Sequence, residues 1–88
     1  MKLLIVIVRD TDGDAVIPDL VSKGYRVTRM ASTGGFLRRG NVTLLIGVED
    51  EQVQDVFDLI GASCRPAEPG QHRATIFVSN MSHFEHVS

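Results

Sequence analysis

The stretch Asn41-Val-Thr-Leu-Leu-Ile-Gly-Val48 decides the fold, because it is a short and almost continuous apolar run. A run of this length predicts a β-strand that is buried on both faces. Lys2-Leu-Leu-Ile-Val-Ile-Val-Arg9 is a second run of the same kind, and it is rich in β-branched residues. Two such strands favour the centre of a sheet, so the other elements are expected to surround them.

Two further strands are expected on either side of this pair. Residues 25–32 alternate between two unlike sets of side chains, which predicts a strand with two different faces. A glycine-rich stretch joins that strand to Asn41–Val48, so the two are expected to form a hairpin. Residues 73–79 predict a fourth strand.

A first helix is expected between the first two strands. Its apolar residues recur at helical spacing: Val16, Ile17, Leu20 and Val21. Gly24 is expected to end the helix, and Pro18 predicts that it is short or kinked, because proline costs about 3 kcal/mol inside a helix. The carboxylates of residues 10–14 are interpreted as a helix-capping cluster, since the glutamate that a calcium loop needs at its twelfth position is replaced by Val21.

A second helix is expected between the third and fourth strands, with Asp50 as its N-cap and Gly61 as its end. The order of elements is then βαββαβ, in a single domain that spans residues 1–88. This order matches the ferredoxin-like α+β arrangement, in which four antiparallel strands carry both helices on one face. The second face of the sheet remains apolar and uncovered, which favours its burial by another copy of the chain.

Charge and cysteine content exclude several classes of function. The chain of 88 residues has a formal net charge of −2, so we expect no binding to DNA or RNA. Its single cysteine, Cys64, excludes an internal disulfide and favours a reducing, cytoplasmic compartment. No apolar run is long enough to span a membrane. Cys64 has no activating partner nearby, and the histidines at 72, 83 and 86 are interpreted as solvated, so neither a catalytic nor a metal site is expected.

The glycine-rich stretch before Asn41 carries candidate ligand-binding residues. Gly34-Gly35 frees the backbone to present N–H groups to an anion, and Arg38 adds positive charge at the same tip together with its neighbour Arg39. Phe36 either stacks on a nucleobase or folds back onto the protein. The alternative interpretation of the whole stretch is an ordinary hairpin loop with solvated arginines.

Polar residues on the adjoining strands complement this loop. Arg26 and Thr28 share one strand face and Asn41 begins the partner strand, so a guanidinium, a hydroxyl and an amide are expected to converge beside the loop. A solvated edge strand is the alternative. Gly47 interrupts its apolar strand, which predicts a bulge or a close approach by another group, either adenine or a neighbouring subunit.

Three blocks of sequence resemble the PII-like cyclic-di-AMP receptor proteins of bacteria. They are Lys2-Leu-Leu-Ile-Val-Ile-Val-Arg-Asp10, residues 26–48 and Ala74-Thr-Ile-Phe-Val78. The resemblance implies a PII-like homotrimer that binds cyclic di-AMP between subunits and signals to a protein partner, without acting as an enzyme and without a cofactor. The ligand contacts that it implies are Arg26, Thr28, Gly35, Phe36, Leu37, Asn41 and Gly47, with Phe84 as a C-terminal aromatic that closes the site.

One segment departs from the pattern of that family. Members with well-established ligand binding carry a long glycine-rich insertion between the second helix and the last strand, where this sequence has only Arg65-Pro-Ala-Glu-Pro-Gly-Gln-His72. The fold and the trimer are expected to tolerate the loss, because the strands and helices are intact. The leading hypothesis is therefore a sensor of cyclic di-AMP or a related adenine nucleotide. The alternative is a trimeric interaction or scaffold protein that has lost nucleotide binding.

Overall fold

The computed structural model describes residues 1–30, 40–66, 69–70, 72–83 and 87. Its elements are β1 (Lys2–Arg9), α1 (Asp10–Ser22), β2 (Val27–Met30), β3 (Asn41–Val48), a 3₁₀ turn (Asp50–Gln52), α2 (Val53–Ser63) and β4 (Ala74–Asn80). The strands form one antiparallel sheet in the order β2-β3-β1-β4. The predicted α+β class and βαββαβ order are thus confirmed, with the two most apolar strands at the centre of the sheet.

One face of the sheet packs against both helices and forms the core. Alternate residues of the central strands are buried there: Leu4, Val6, Val8, Val42, Leu44, Ile46 and Val48. They belong to one cluster with Val16 and Leu20 of α1 and with Val56 and Ile60 of α2. Burial of each large aliphatic side chain stabilises the fold by roughly 1.5–3 kcal/mol.

The opposite face, called the open face below, carries the alternate residues of the same strands. By strand register its members include Leu3, Ile5, Ile7, Thr28, Met30, Asn41, Thr43, Leu45, Gly47, Thr75, Phe77 and Ser79. Phe77 is 57% exposed, whereas Thr43 is 5% exposed and its hydroxyl oxygen has no hydrogen-bond partner among the described residues. The apolar second face expected from the sequence is therefore present, and its coverage by other copies of the chain stays a prediction.

α1 differs from the expectation in its extent. It runs over Asp10–Ser22 with Pro18 inside it, so of the two predicted outcomes the short helix is wrong, and the kink at Pro18 stays a prediction. Pro18 is exposed, and the carbonyl that loses its donor belongs to the exposed Asp14, where water can replace the missing hydrogen bond. Residues 10–14 form the first turn of the helix and do not precede it as a cap. Arg9 is the N-cap residue, and its side chain makes no capping hydrogen bond.

The start and end of the second helical segment also shift. Glu49, not Asp50, occupies the N-cap position, and its backbone N–H donates to the side-chain oxygen of Gln52 at 2.9 Å. α2 continues to Ser63, two residues beyond the expected end at Gly61. These shifts are small and leave the apolar face of the helix on the core.

Candidate functional site

Four of the predicted ligand-binding residues lie in the described part of the chain, namely Arg26, Thr28, Asn41 and Gly47. Thr28 pairs with Leu45 on the open face. Asn41 and Gly47 alternate with Leu45 along β3, so they lie on the same face. Arg26 directly precedes β2, which begins at Val27, two residues after the predicted start at Tyr25. The predicted end at residue 32 lies outside the described residues. Five further predicted site residues fall outside the described residues: Gly35, Phe36, Leu37, Arg38 and Phe84.

Arg26 and Gly47 line one cleft, called the Gly47 cleft below. Its volume is about 290 Å³, and its other walls are Met1, Gly24, Tyr25 and Gln52. Gly24 has a φ of +89°, a left-handed conformation that glycine adopts without a steric penalty, so the chain turns sharply between α1 and β2. The cleft brings a guanidinium, a phenol and an amide around the bare backbone of Gly47. These groups can hydrogen-bond to a nucleobase or to a phosphate.

Gly47 is closely approached by Met81. A Cβ atom at position 47 would lie 3.3 Å from Met81 Cε, although the register of β3 against β1 continues through Gly47 without a bulge. A close approach to Gly47 is therefore present, and the approaching group is Met81 of the same chain. The approach of adenine or of a neighbouring subunit to Gly47 stays a prediction. Sequence reasoning missed Met81, because its position depends on the path of the chain after β4.

Asn41 lies at the other end of β3. It is six positions from Gly47 along the strand, which corresponds to about 20 Å of extended chain. Residues 31–40 connect Met30 to Asn41, so Arg26 lies at the end of the hairpin away from that connection. The expectation that Arg26, Thr28 and Asn41 converge at one point is therefore wrong within a single chain. They share a face of the sheet and are spread along it.

A second cleft lies beside Asn41, at the loop end of the hairpin. Its volume is about 460 Å³, and its other walls are Asp10, Thr11, Asp14, Arg29, Met30 and Val42. Arg29 Nη1 lies 3.7 Å from Asp14 Oδ1, and both side chains are exposed, so this ion pair adds little stability. The backbone N–H of Asp10 donates to the Gly40 carbonyl at 2.8 Å. That bond ties the last residue of the glycine-rich stretch to the start of α1.

Asp12 is a buried carboxylate at this same end of the sheet, and two arginines hold it. It is 1% exposed; Arg9 Nε donates to its Oδ2 at 2.6 Å and the Arg65 backbone N–H donates to its Oδ1 at 3.2 Å. Burial alone would raise the pKa of Asp12, but the hydrogen bonds from Arg65 and Arg9 and the charge of Arg9 outweigh it and hold the pKa below its usual range. Because Arg65 follows α2, this network fixes the start of the short connection against the corner between β1 and α1.

The described residues offer little for catalysis or metal binding. Burial, with the nearby charge of Asp12, raises the pKa of the Cys64 thiol, which keeps it protonated and a poor nucleophile. Within the described residues, no group of His, Cys, Asp or Glu side chains could hold a metal ion. In the same part of the chain, neither helix has the length and apolar character required to cross a membrane.

Comparison with known proteins identifies the class to which these features belong. The family model described as cyclic-di-AMP receptor matches residues 1–82. The chain belongs to the cyclic-di-AMP receptor family. The chain is also similar to a solved structure described as a functionally unknown protein from Pediococcus pentosaceus ATCC 25745, with 32% identity and a TM-score of 0.76. That likeness covers 98% of this chain and 96% of the other chain, and the family suspected from the sequence is confirmed.

Proposed function

We propose that the receptor binds cyclic di-AMP, or a related adenine nucleotide, at the subunit interfaces of a homotrimer in the bacterial cytoplasm and reports its occupancy to a protein partner. The observation that carries the proposal is the match to the receptor family over residues 1–82. The Gly47 cleft and the open face, which lie in the matched region, support it. Binding, and not catalysis, is the proposed role.

The spread of the predicted contacts along β3 supports a site shared between subunits. Asn41 and Gly47 are about 20 Å apart in one chain. A compact cyclic dinucleotide reaches both groups most directly when they come from two neighbouring subunits. The open face supports the same assembly, because an apolar sheet face of this size is rarely left in water.

Each described contact has a distinct chemical role in this proposal. Arg26 offers a charge-assisted donor for a phosphate, and the bare backbone at Gly47 allows a flat base to approach. Thr28 and Asn41 offer hydrogen bonds to base edges or sugar hydroxyls. The residues outside the described part keep their proposed roles: Gly35, Phe36, Leu37, Arg38 and Phe84.

Isothermal titration calorimetry tests the proposal directly. The purified receptor is titrated with cyclic di-AMP, cyclic di-GMP, ATP and ADP. We expect cyclic di-AMP to bind with one ligand per subunit, since a ring of three subunits has three interfaces, and we expect cyclic di-GMP to bind more weakly. Binding to none of the four nucleotides would contradict the proposal.

A scaffold protein without ligand binding is the second candidate, and one observation favours it. α2 ends at Ser63 and β4 begins at Ala74, so the connection is confined to residues 64–73. In that case the receptor assembles and holds its protein partner with the same affinity whether or not nucleotide is present. A partner affinity that changes with cyclic di-AMP would exclude this candidate.

A further inference from the structure

The methyl group of Met81 lies close to Gly47, and Gly47 itself lines the Gly47 cleft. No side chain at position 47 separates Met81 from the backbone, and a Cβ atom there would already be in tight contact at 3.3 Å. Gly47 nevertheless remains exposed in part, so the Met81 methyl covers only some of its surface. Gly47 thus borders the cleft and contacts Met81, which follows β4.

We propose that Met81 is a movable cover of the nucleobase subsite, which the base of the bound nucleotide must displace from Gly47. This inference rests on the proposed function and adds a residue to the same site. It assigns the position over Gly47 to the flat face of a base. Tyr25 and Arg26, in the same cleft, provide an aromatic ring and a guanidinium plane, the two kinds of group on which bases stack.

The backbone of Met81 is held by a hydrogen bond that does not involve its side chain. The Met81 N–H donates to the Met1 carbonyl at 3.0 Å, which extends the pairing of β4 with β1 past Lys2 and Asn80. Methionine has three rotatable side-chain bonds and adapts easily to irregular spaces. A side-chain rotation therefore uncovers Gly47 without breaking the sheet.

Truncation of Met81 tests this competition. Met81→Ala is expected to bind cyclic di-AMP about fourfold more tightly, because the base no longer displaces a contact equivalent to about one buried methyl group. Val78→Ala is the matched control, since Val78 is an exposed aliphatic residue of β4 on the opposite face of the sheet. It should leave the dissociation constant unchanged. Weaker or equal binding by Met81→Ala would overturn the proposal.

A methyl signal reports the movement without relying on affinity. The chain has three methionines, so protein labelled with ¹³C at the methionine methyl groups gives three resonances, and the Met81→Leu variant assigns the one from Met81. Saturation with cyclic di-AMP should shift the Met81 signal through the ring current of the base. A Met81 signal that stays in place at saturation would show that the base lies elsewhere.

The outcomes separate this inference from the proposed function. If cyclic di-AMP binds and Met81 does not respond, the movable cover is wrong and the receptor function stands. If the wild type binds no nucleotide but Met81→Ala does, the Met81 side chain is confirmed to block the nucleobase subsite. If neither binds, both proposals fall together.

Discussion

At the scale of single residues, Arg26 and Lys23 offer a comparison between a cleft residue and its exposed neighbour. Both side chains are exposed, but Arg26 lines the Gly47 cleft, whereas Lys23 follows the end of α1 and is not among the residues that line the cleft. Arg26→Ala should weaken cyclic di-AMP binding by about 1–3 kcal/mol, because it removes a hydrogen bond from a charged group. Lys23→Ala removes the same charge nearby and should change the dissociation constant less than about twofold. Equal losses in calorimetry would show that only overall charge matters.

Asp12 makes the stability of the receptor sensitive to acid. Its pKa is lowered in the folded chain relative to about 3.9 in the unfolded chain, so its contribution is complete above that value and is lost as the pH falls through the folded pKa. Asp12→Asn should lower the free energy of unfolding at pH 7 by about 1–3 kcal/mol, and its deficit should narrow below about pH 4. Urea unfolding followed by circular dichroism measures this.

The control for this prediction is Asp55→Asn, on the exposed first turn of α2. It should leave the free energy of unfolding close to that of the wild type at pH 7. A deficit in Asp12→Asn that stays constant from pH 7 to pH 3 would mean that the carboxylate charge of Asp12 is not what stabilises the fold.

At the scale of elements, the sequence predicted some parts well and others poorly for physical reasons. The bounds of the strands Lys2–Arg9 and Asn41–Val48 were predicted correctly, because a continuous apolar run in the sequence indicates a buried strand. The start of α1 was predicted incorrectly. From local sequence Asp12 is expected to be an exposed capping residue, and its burial depends on a hydrogen bond from Arg65, which is distant in sequence. The contact of Met81 with Gly47 could not be predicted either, because no local sequence pattern indicates the path of the chain after β4.

The close packing of α1 on the sheet depends on Gly13. A Cβ atom there would lie 2.9 Å from Val42 Cγ1, inside the helix–sheet interface, while a Cβ atom at Gly61 of α2 would meet nothing within 4 Å. Gly13→Ala should therefore destabilise the fold by about 1–3 kcal/mol through overpacking. Gly61→Ala should be neutral or stabilise by up to about 1 kcal/mol, because alanine favours the helix. Thermal unfolding of both variants checks this, and a stable Gly13→Ala would contradict the packing argument.

At the scale of the whole molecule, the open face predicts the oligomeric state. Leu45 pairs with Ile5 and Thr28 near the middle of that face, whereas Val21 is 55% exposed on α1. Analytical ultracentrifugation of the wild type at micromolar concentration should give a trimer. Leu45→Asp should dissociate or unfold it, because a charge would be buried without a partner, and Val21→Asp should remain a trimer. A monomeric wild type would contradict the prediction.

The unpartnered hydroxyl of Thr43 gives the open face a preference for particular neighbours. A buried hydroxyl without a hydrogen bond costs about 1–3 kcal/mol, and this one lies at a largely apolar surface, among the described residues. A partner surface that brings a hydrogen-bond acceptor or donor to the Thr43 hydroxyl removes this cost in free energy, whereas an entirely apolar surface does not. We therefore expect the Thr43 hydroxyl to favour assembly with copies of the chain that bring a hydrogen-bonding group to this point over contact with unrelated hydrophobic proteins.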